Sequence, residues 1–220
     1  MNTNSNGARG SRQDLVRFGR MLHQKGFVAG TDGNLSVRLS QSRVMITPSG
    51  VSKGMMCPSD MAIVNLQGEQ LSGKRPPSSE VQMHLTIYKM RPDVNAIVHA
   101  HPCAATAFAS TGVGLDERLC SEIIVTLGKV PLAPYKTPGT QELSDALSPF
   151  IFHHNAILLA NHGVVAYAAD LRRAYLNMEI VEQFAKTSLI ANLIGRFHLL
   201  KEDEVRELHE IRSKYNAVSV

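Results

Sequence analysis

Tryptophan is absent from this chain of 220 residues, cysteine occurs three times and aromatic residues amount to 5%. Cys57, Cys103 and Cys120 lie far apart with no C-x-x-C pair, which excludes a disulfide framework and a cysteine zinc knuckle and points to a reducing compartment. Also missing is any run of roughly 18 apolar residues, the length of a membrane span. The N-terminal stretch is rich in Asn, Ser, Gly and Arg, so no ordinary secretory signal is read there. Charge of one sign is not clustered: 23 basic and 19 acidic residues give a formal +4 without a run of five or six like charges, which argues against a nucleic-acid footprint. These absences predict a cytoplasmic protein with neither nucleic acid nor membrane as partner.

What is present is a hydrophobic fraction of 44% and a charged fraction of 19%, the composition of a folded globular chain. The length suits one domain, expected over residues 12–220 behind a flexible tail over 1–11. Leu15, Phe18 and Leu22 recur at helical spacing between Arg12 and Gln24, with Gly26 placed to end the helix. Short strands are expected at Leu35–Leu39, Arg43–Thr47 and Met61–Leu66, the last turning at Gln67-Gly68-Glu69 into a hairpin. A helix is expected over 79–90, opened by a serine cap and stopped by Arg91-Pro92. Further strands are read at Asn95–Ala100, Ile123–Leu127, Ala156–Ala160 and Val164–Tyr167. Helices are read at Cys103–Ala109, Gln141–Leu147, Leu171 to about Ile194, and Glu202–Ser213. The early hairpins exclude an all-parallel sheet, so the class is α/β with a mixed sheet layered between helices.

Chemistry concentrates in a few side chains. His99 and His101 flank Ala100 at the end of an apolar strand, and residues i and i+2 of a strand project to one face, so two imidazoles can reach one ion. His162 ends the apolar run 157–160 at Asn161-His162-Gly163. Three neutral imidazoles leave a zinc ion an open position for substrate, as in a catalytic site. Glu80 is a candidate acid or base; its structural alternative is a first-turn glutamate stabilising a helix N-terminus by a few tenths to about 1 kcal/mol. His84, one turn on, is a further ligand or a polar partner of Glu80, and the partner role is favoured. Asn34, Ser49-Gly50 and Ser78-Ser79 lie in three small-residue turns that together could cradle a phosphate, although each alone reads as a cap or turn. No Walker loop or Rossmann fingerprint accompanies them, so nucleotides are not indicated.

Gly33-Asn34-Leu35-Ser36, Thr47-Pro48-Ser49-Gly50, Pro77-Ser78-Ser79-Glu80, the stretch from Arg91-Pro92 to His99-Ala100-His101, Ala133-Pro134-Tyr135 and Asn161-His162-Gly163 follow one another in an order and spacing that resembles the class II aldolase/adducin family, most of all its fuculose-phosphate aldolase type. The resemblance covers about residues 12–195. It implies a three-layer α/β/α fold with a mixed, largely antiparallel central sheet, one Zn2+ per subunit on His99, His101 and His162, and Glu80 as general acid/base. It further implies that Asn34, Ser49, Gly50, Ser78 and Ser79 hold a substrate phosphate, in a cyclic homotetramer whose sites lie between neighbouring subunits. The implied reaction is metal-dependent cleavage of a small phosphorylated ketose, such as L-fuculose 1-phosphate, to dihydroxyacetone phosphate and an aldehyde. Tyr215 is the counterpart of a tail tyrosine that closes over the site. Cys120 stands where the family has an aldehyde-side tyrosine that serves the neighbouring subunit's site, and Pro138 where an aromatic residue lines the aldehyde pocket, which leaves that half of the substrate open. A glutamate at position 80 argues against the family's 4-epimerases, which carry aspartate there. Dehydration of a methylthioribulose-type phosphate and decarboxylation of a phosphorylated keto acid are the enzymatic alternatives. An adducin-like binding or assembly role is the non-enzymatic one, opposed by the intact His99, His101, His162 and Glu80.

Overall fold

The computed structural model describes the backbone of residues 3–115, 117–196 and 198–218, and the side chains of 8–115, 118–196 and 198–214. The chain runs through α1 (Thr3–Gln24), β1 (Asn34–Ser40), β2 (Arg43–Ile46), β3 (Ala62–Asn65), β4 (Gln70–Ser72), α2 (Val81–Met90), β5 (Ala96–Ala100), α3 (Cys103–Thr111), α4 (Ser121–Thr126), β6 (Leu132–Ala133), α5 (Gln141–Ile151), β7 (Ala156–Leu159), β8 (Gly163–Ala168), α6 (Leu171–Ile194) and α7 (Glu202–Val218). The strands form one eight-stranded sheet in the order β4-β3-β2-β1-β5-β8-β7-β6. Every neighbouring pair is antiparallel except β6 with β7. This is the mixed, largely antiparallel sheet between helical layers that the resemblance implied.

The two faces of the sheet follow from strand alternation. In β5, Ala96, Val98 and Ala100 join the core beneath α1, α3 and α6, whereas Ile97 belongs to the core beneath α2 and α5. The same division separates Val164 and Ala166 from Val165 and Tyr167 in β8. His99 shares its parity with Ile97, so it emerges on the α2 side while staying within a fully buried strand.

Three local expectations are corrected. The segment Ile123–Leu127, read as a strand from its β-branched residues, lies in α4 and its cap; Ile123 and Ile124 enter the core from a helix packed against α7. Burial satisfies β-branched side chains in either state, and the tertiary partner decides. The sheet edge is instead taken by the two-residue β6, which the sequence did not reveal. Finally, the N-cap position of α2 is held by Glu80 rather than by a serine, and α1 reaches back to Thr3 instead of starting at Arg12.

Candidate active site

The β5–β8 and β7–β8 pairings bring the ends of β5 and β7 to one edge of the sheet. His99 lies in β5, His101 directly beyond it, and His162 in the tight β7–β8 turn. That turn is shaped by Asn161 at φ 55° and by Gly163, where a Cβ would come within 2.6 Å of the Ala100 carbonyl and collide with the His101 ring. A side chain at 163 would therefore push the two histidine segments apart. The three imidazoles offer nitrogen atoms all within 4.8 Å of one another, with ring centroids 4.7 to 5.0 Å apart. The Nδ1–H of His99 donates to the Val164 carbonyl at 2.9 Å, which turns its Nε2 toward His101 Nε2 at 3.1 Å and toward Glu80; burial opposes the charged form of His99, but the Glu80 carboxylate outweighs it and raises the His99 pKa. Asp32 stands behind His101, with Oδ2 3.7 Å from Nδ1.

Glu80 occupies the N-cap of α2, yet its side chain makes no capping bond. The carboxylate instead turns into the histidine cluster: Oε2 lies 3.2 Å from His99 Nε2 and Oε1 lies 3.4 Å from His162 Nε2. Asn34 Nδ2 donates to Oε2 at 2.8 Å. Burial alone would raise the Glu80 pKa, but the charge and hydrogen bond of His99, the charge of His162 and the Asn34 amide outweigh it and hold the carboxyl well below the usual range. Burial, reinforced by the charge of His99, pushes His101 and His162 down to about 4, which keeps these imidazoles neutral and able to bind a cation.

These residues fit a divalent transition ion. Three imidazoles converge beside a carboxylate, and both Glu80 Oε1 and His162 Nδ1 are buried without a hydrogen-bond partner. Orphaned buried polar atoms are costly, and their concentration in one donor set is what a metal site predicts.

Next to the cluster is a cavity of about 260 Å³ whose wall includes Asn34, Ser49, Gly50, Ser78, Ser79, Glu80, His101 and His162. Two of its loops are laced together: Ser78 N–H donates to the Thr47 carbonyl, Ser49 N–H donates to the Pro76 carbonyl, and Pro48 bridges to Pro77. Gly33 sits where a Cβ would approach the His99 carbonyl to 2.8 Å, at φ 69°, so the turn carrying Asn34 can press against β5 only with glycine there. The structure thus brings together every expected site residue whose side chain it describes. Cys120 lines a separate groove with Ile123, Ile180 and Phe184, and the Tyr215 side chain lies outside the described residues. Pro138 lines the cavity as expected. Asn34 was expected at a phosphate, but one amide hydrogen serves Glu80 and Oδ1 faces His84; only the second amide hydrogen is left for an anion. His84 is a partner of Glu80 through Asn34 rather than directly.

Lys53 escaped the sequence reading. It is 1% exposed, lines the cavity, and donates from Nζ to the Thr31 and Val51 carbonyls at 2.7 and 2.8 Å. Burial lowers its pKa to about 8 against the opposing charges of Asp32 and Glu80. A lysine in a Gly- and Ser-rich loop reads as a solvated charge; only its tertiary burial distinguishes it.

Residues 13–189 match the family described as Class II Aldolase and Adducin N-terminal domain. The chain is 39% identical over 199 residues to 5-deoxy-D-ribulose 1-phosphate aldolase of Bacillus thuringiensis serovar kurstaki, covering 90% of this chain and 92% of that protein. It is 36% identical over 203 residues to 3-oxo-tetronate 4-phosphate decarboxylase of Pectobacterium atrosepticum, covering 90% and 92%. A solved L-fuculose 1-phosphate aldolase superimposes with a TM-score of 0.86 at 35% identity over 94% of this chain and 96% of the other. The family match over residues 13–189 and the similarity to these relatives over nearly their full length place the chain in the class II aldolase and adducin family, as one of its lyases.

Proposed function

We propose that this protein is a zinc-dependent aldolase that cleaves a small phosphorylated ketose to dihydroxyacetone phosphate and an aldehyde. The observation that carries the reading is the Glu80 carboxylate, turned away from its helix cap and held beside three converging imidazoles on the wall of an anion-suited cavity. His99, His101 and His162 would hold the ion, one per subunit. When bound, the ion supplies Lewis-acid stabilisation of the negative charge that develops on the substrate carbonyl oxygen. The chain's own residues do the rest. Ser49, Gly50, Ser78, Ser79, the second amide hydrogen of Asn34 and the Lys53 ammonium supply donors for the phosphate. Glu80 removes a proton from the carbon beside the carbonyl in condensation and returns it after cleavage. The cavity next to Pro138 is left for the variable half of the substrate.

A second reading has its own support. Decarboxylation of a 3-oxo-tetronate 4-phosphate breaks the bond between the carboxyl carbon and its neighbour, releases carbon dioxide, and requires one proton on the carbon left behind; the product is again dihydroxyacetone phosphate. That reaction needs no proton donor on an aldehyde side, which suits a chain with Cys120 at the family's tyrosine position. The decarboxylases at 36% identity favour it as the runner-up.

We also infer a single domain over 12–220, a cytoplasmic location and a homotetramer with sites between subunits. Free cysteines are consistent with the location, and among the described residues no helix is long and apolar enough to cross a membrane. Leu193 and Ile194, 78% and 69% exposed at the end of α6, offer apolar surface for assembly.

The deciding experiment is a coupled assay for dihydroxyacetone phosphate, run on zinc-loaded and chelator-treated protein with ketose 1-phosphates and a 3-oxo-tetronate 4-phosphate. Metal-dependent release from a ketose phosphate establishes the aldolase; release with carbon dioxide from the keto acid alone replaces it with the decarboxylase.

A further inference from the structure

Behind the cavity, β1 and α2 meet through polar side chains where a core would ordinarily be apolar. Alternate residues of a strand repeat about every 6.6–6.8 Å, and every fourth residue of a helix repeats about every 6.0 Å, so stripes i, i+2, i+4 and i, i+4, i+8 can run nearly in step. The strand stripe here is Asn34, Ser36 and Arg38; the helix stripe is Glu80, His84 and Tyr88. Asn34 joins Glu80 to His84 Nε2. His84 Nδ1 meets Ser36 Oγ at 2.6 Å, and Ser36 Oγ meets the Tyr88 hydroxyl at 2.8 Å. Arg38 closes the ladder, donating from Nη2 to the Tyr88 carbonyl at 2.7 Å with its guanidinium 4.7 Å from the Tyr88 ring centroid. Asn34, Ser36, His84 and Tyr88 are all at most 2% exposed.

The direction of every bond follows from the one charge at its end. An ionised carboxylate only accepts, so the Asn34 amide nitrogen must face Glu80 and its oxygen must face His84. His84 therefore donates from Nε2–H. Its burial pushes its pKa down to about 3, so it carries a single proton and Nδ1 accepts. Ser36 then donates to His84 and in turn accepts from the Tyr88 hydroxyl. Each hydrogen bond polarises the next in the same sense, toward the carboxylate.

We propose that His84, Ser36 and Tyr88 are positioning residues for Glu80, joined to it through Asn34 in a one-directional hydrogen-bond chain that fixes where the carboxylate stands relative to the substrate carbon. This rests on the reading of Glu80 as the acid/base. The chain gives a buried neutral histidine, otherwise without a task, a defined tautomer and purpose. It also accounts for a glutamate at a helix N-cap that does no capping.

Two measurements test it. In metal-free protein with 15N-labelled histidine, long-range 15N–1H correlation should show His84 protonated at Nε2 and unprotonated at Nδ1 around neutral pH. A proton on Nδ1 would overturn the chain. In zinc-loaded protein, deuterium uptake from solvent into dihydroxyacetone phosphate isolates the proton-transfer step from the aldehyde half. His84→Phe preserves ring bulk and removes both hydrogen bonds; uptake should fall about 10–100-fold with KM near the wild-type value, and His84→Gln, which can donate and accept, should recover part of it. Wild-type uptake in His84→Phe would overturn the positioning role. Should that variant not fold, Tyr88→Phe serves in its place: a smaller fall in uptake at unchanged KM is expected, and no fall in Ser36→Ala and Tyr88→Phe alike would be the refuting result. Wild-type protein that takes up no deuterium sinks Glu80 as the base, while the His84 tautomer still decides the chain.

Discussion

Glu80 separates two polar regions of opposite character. On its cavity side, His99, His101 and His162 converge and leave buried polar atoms without partners, Glu80 Oε1 and His162 Nδ1. Behind it, Asn34, His84, Ser36 and Tyr88 are more deeply buried than His101 and His162, yet the linking atoms of each are paired within the protein. Both regions contain buried imidazoles, so histidine burial alone does not mark a ligand site. The difference lies in satisfaction: a closed network spends its donors and acceptors on stability and orientation, whereas an open one keeps them for something that arrives.

The sharpest way to break this comparison is to remove one convergent imidazole. His101→Ala should lose stoichiometric zinc and reduce turnover to the level of chelator-treated protein; metal analysis after gel filtration checks this, and retained zinc would mean that the open region is not the metal site. Glu80→Gln should retain zinc and lose about 10²–10⁴-fold in kcat, measured with the best substrate of the panel. Normal turnover in that variant would remove Glu80 from the chemistry. Lys53→Met should raise KM for a phosphorylated substrate about 10–100-fold, the equivalent of a lost charge-assisted hydrogen bond, with little change in kcat. The closed region should respond differently. Ser36→Ala leaves His84 Nδ1 and the Tyr88 hydroxyl without their partner and should cost about 1–3 kcal/mol of stability at unchanged zinc content, as read from chemical unfolding.

Lys53 adds the smallest effect and a pH signature. Its folded-state pKa of about 8 lies below the ordinary 10.5, so between those values the unfolded state binds more protons and stability rises with pH. The lysine's cost is fully present below pH 8 and is relieved as pH climbs through the window. Lys53→Met should lose that rise, and unfolding curves collected from pH 7 to 10.5 that are parallel for the two proteins would contradict it.

Much of the open region was legible because its signal is local. The His99-x-His101 spacing in an apolar strand, His162 before Gly163, and the three small-residue turns can all be read along the chain, and their joint order pointed to the family. The closed region was not legible: Ser36 and Tyr88 look like ordinary strand and helix residues, and their partners lie 48 and 52 positions apart in sequence. Lys53 was missed for the same reason, since nothing in its neighbours announces burial. Ile123–Leu127 misled because a β-branched run satisfies strand and buried helix alike, and here packing against α7 chose the helix.

By itself the sequence determined which side chains could bind a cation or an anion, since that capacity resides in residue type and near-neighbour spacing. It determined the mixed sheet as well, through period-2 alternation and turns. Only the tertiary structure decided that the Glu80 side chain abandons its helix cap, that Asn34 spends its amide on that carboxylate, and that β1 and α2 run in step behind it. Those outcomes depend on distances between segments remote along the chain, and hydrogen-bond direction and burial exist only once the segments have met.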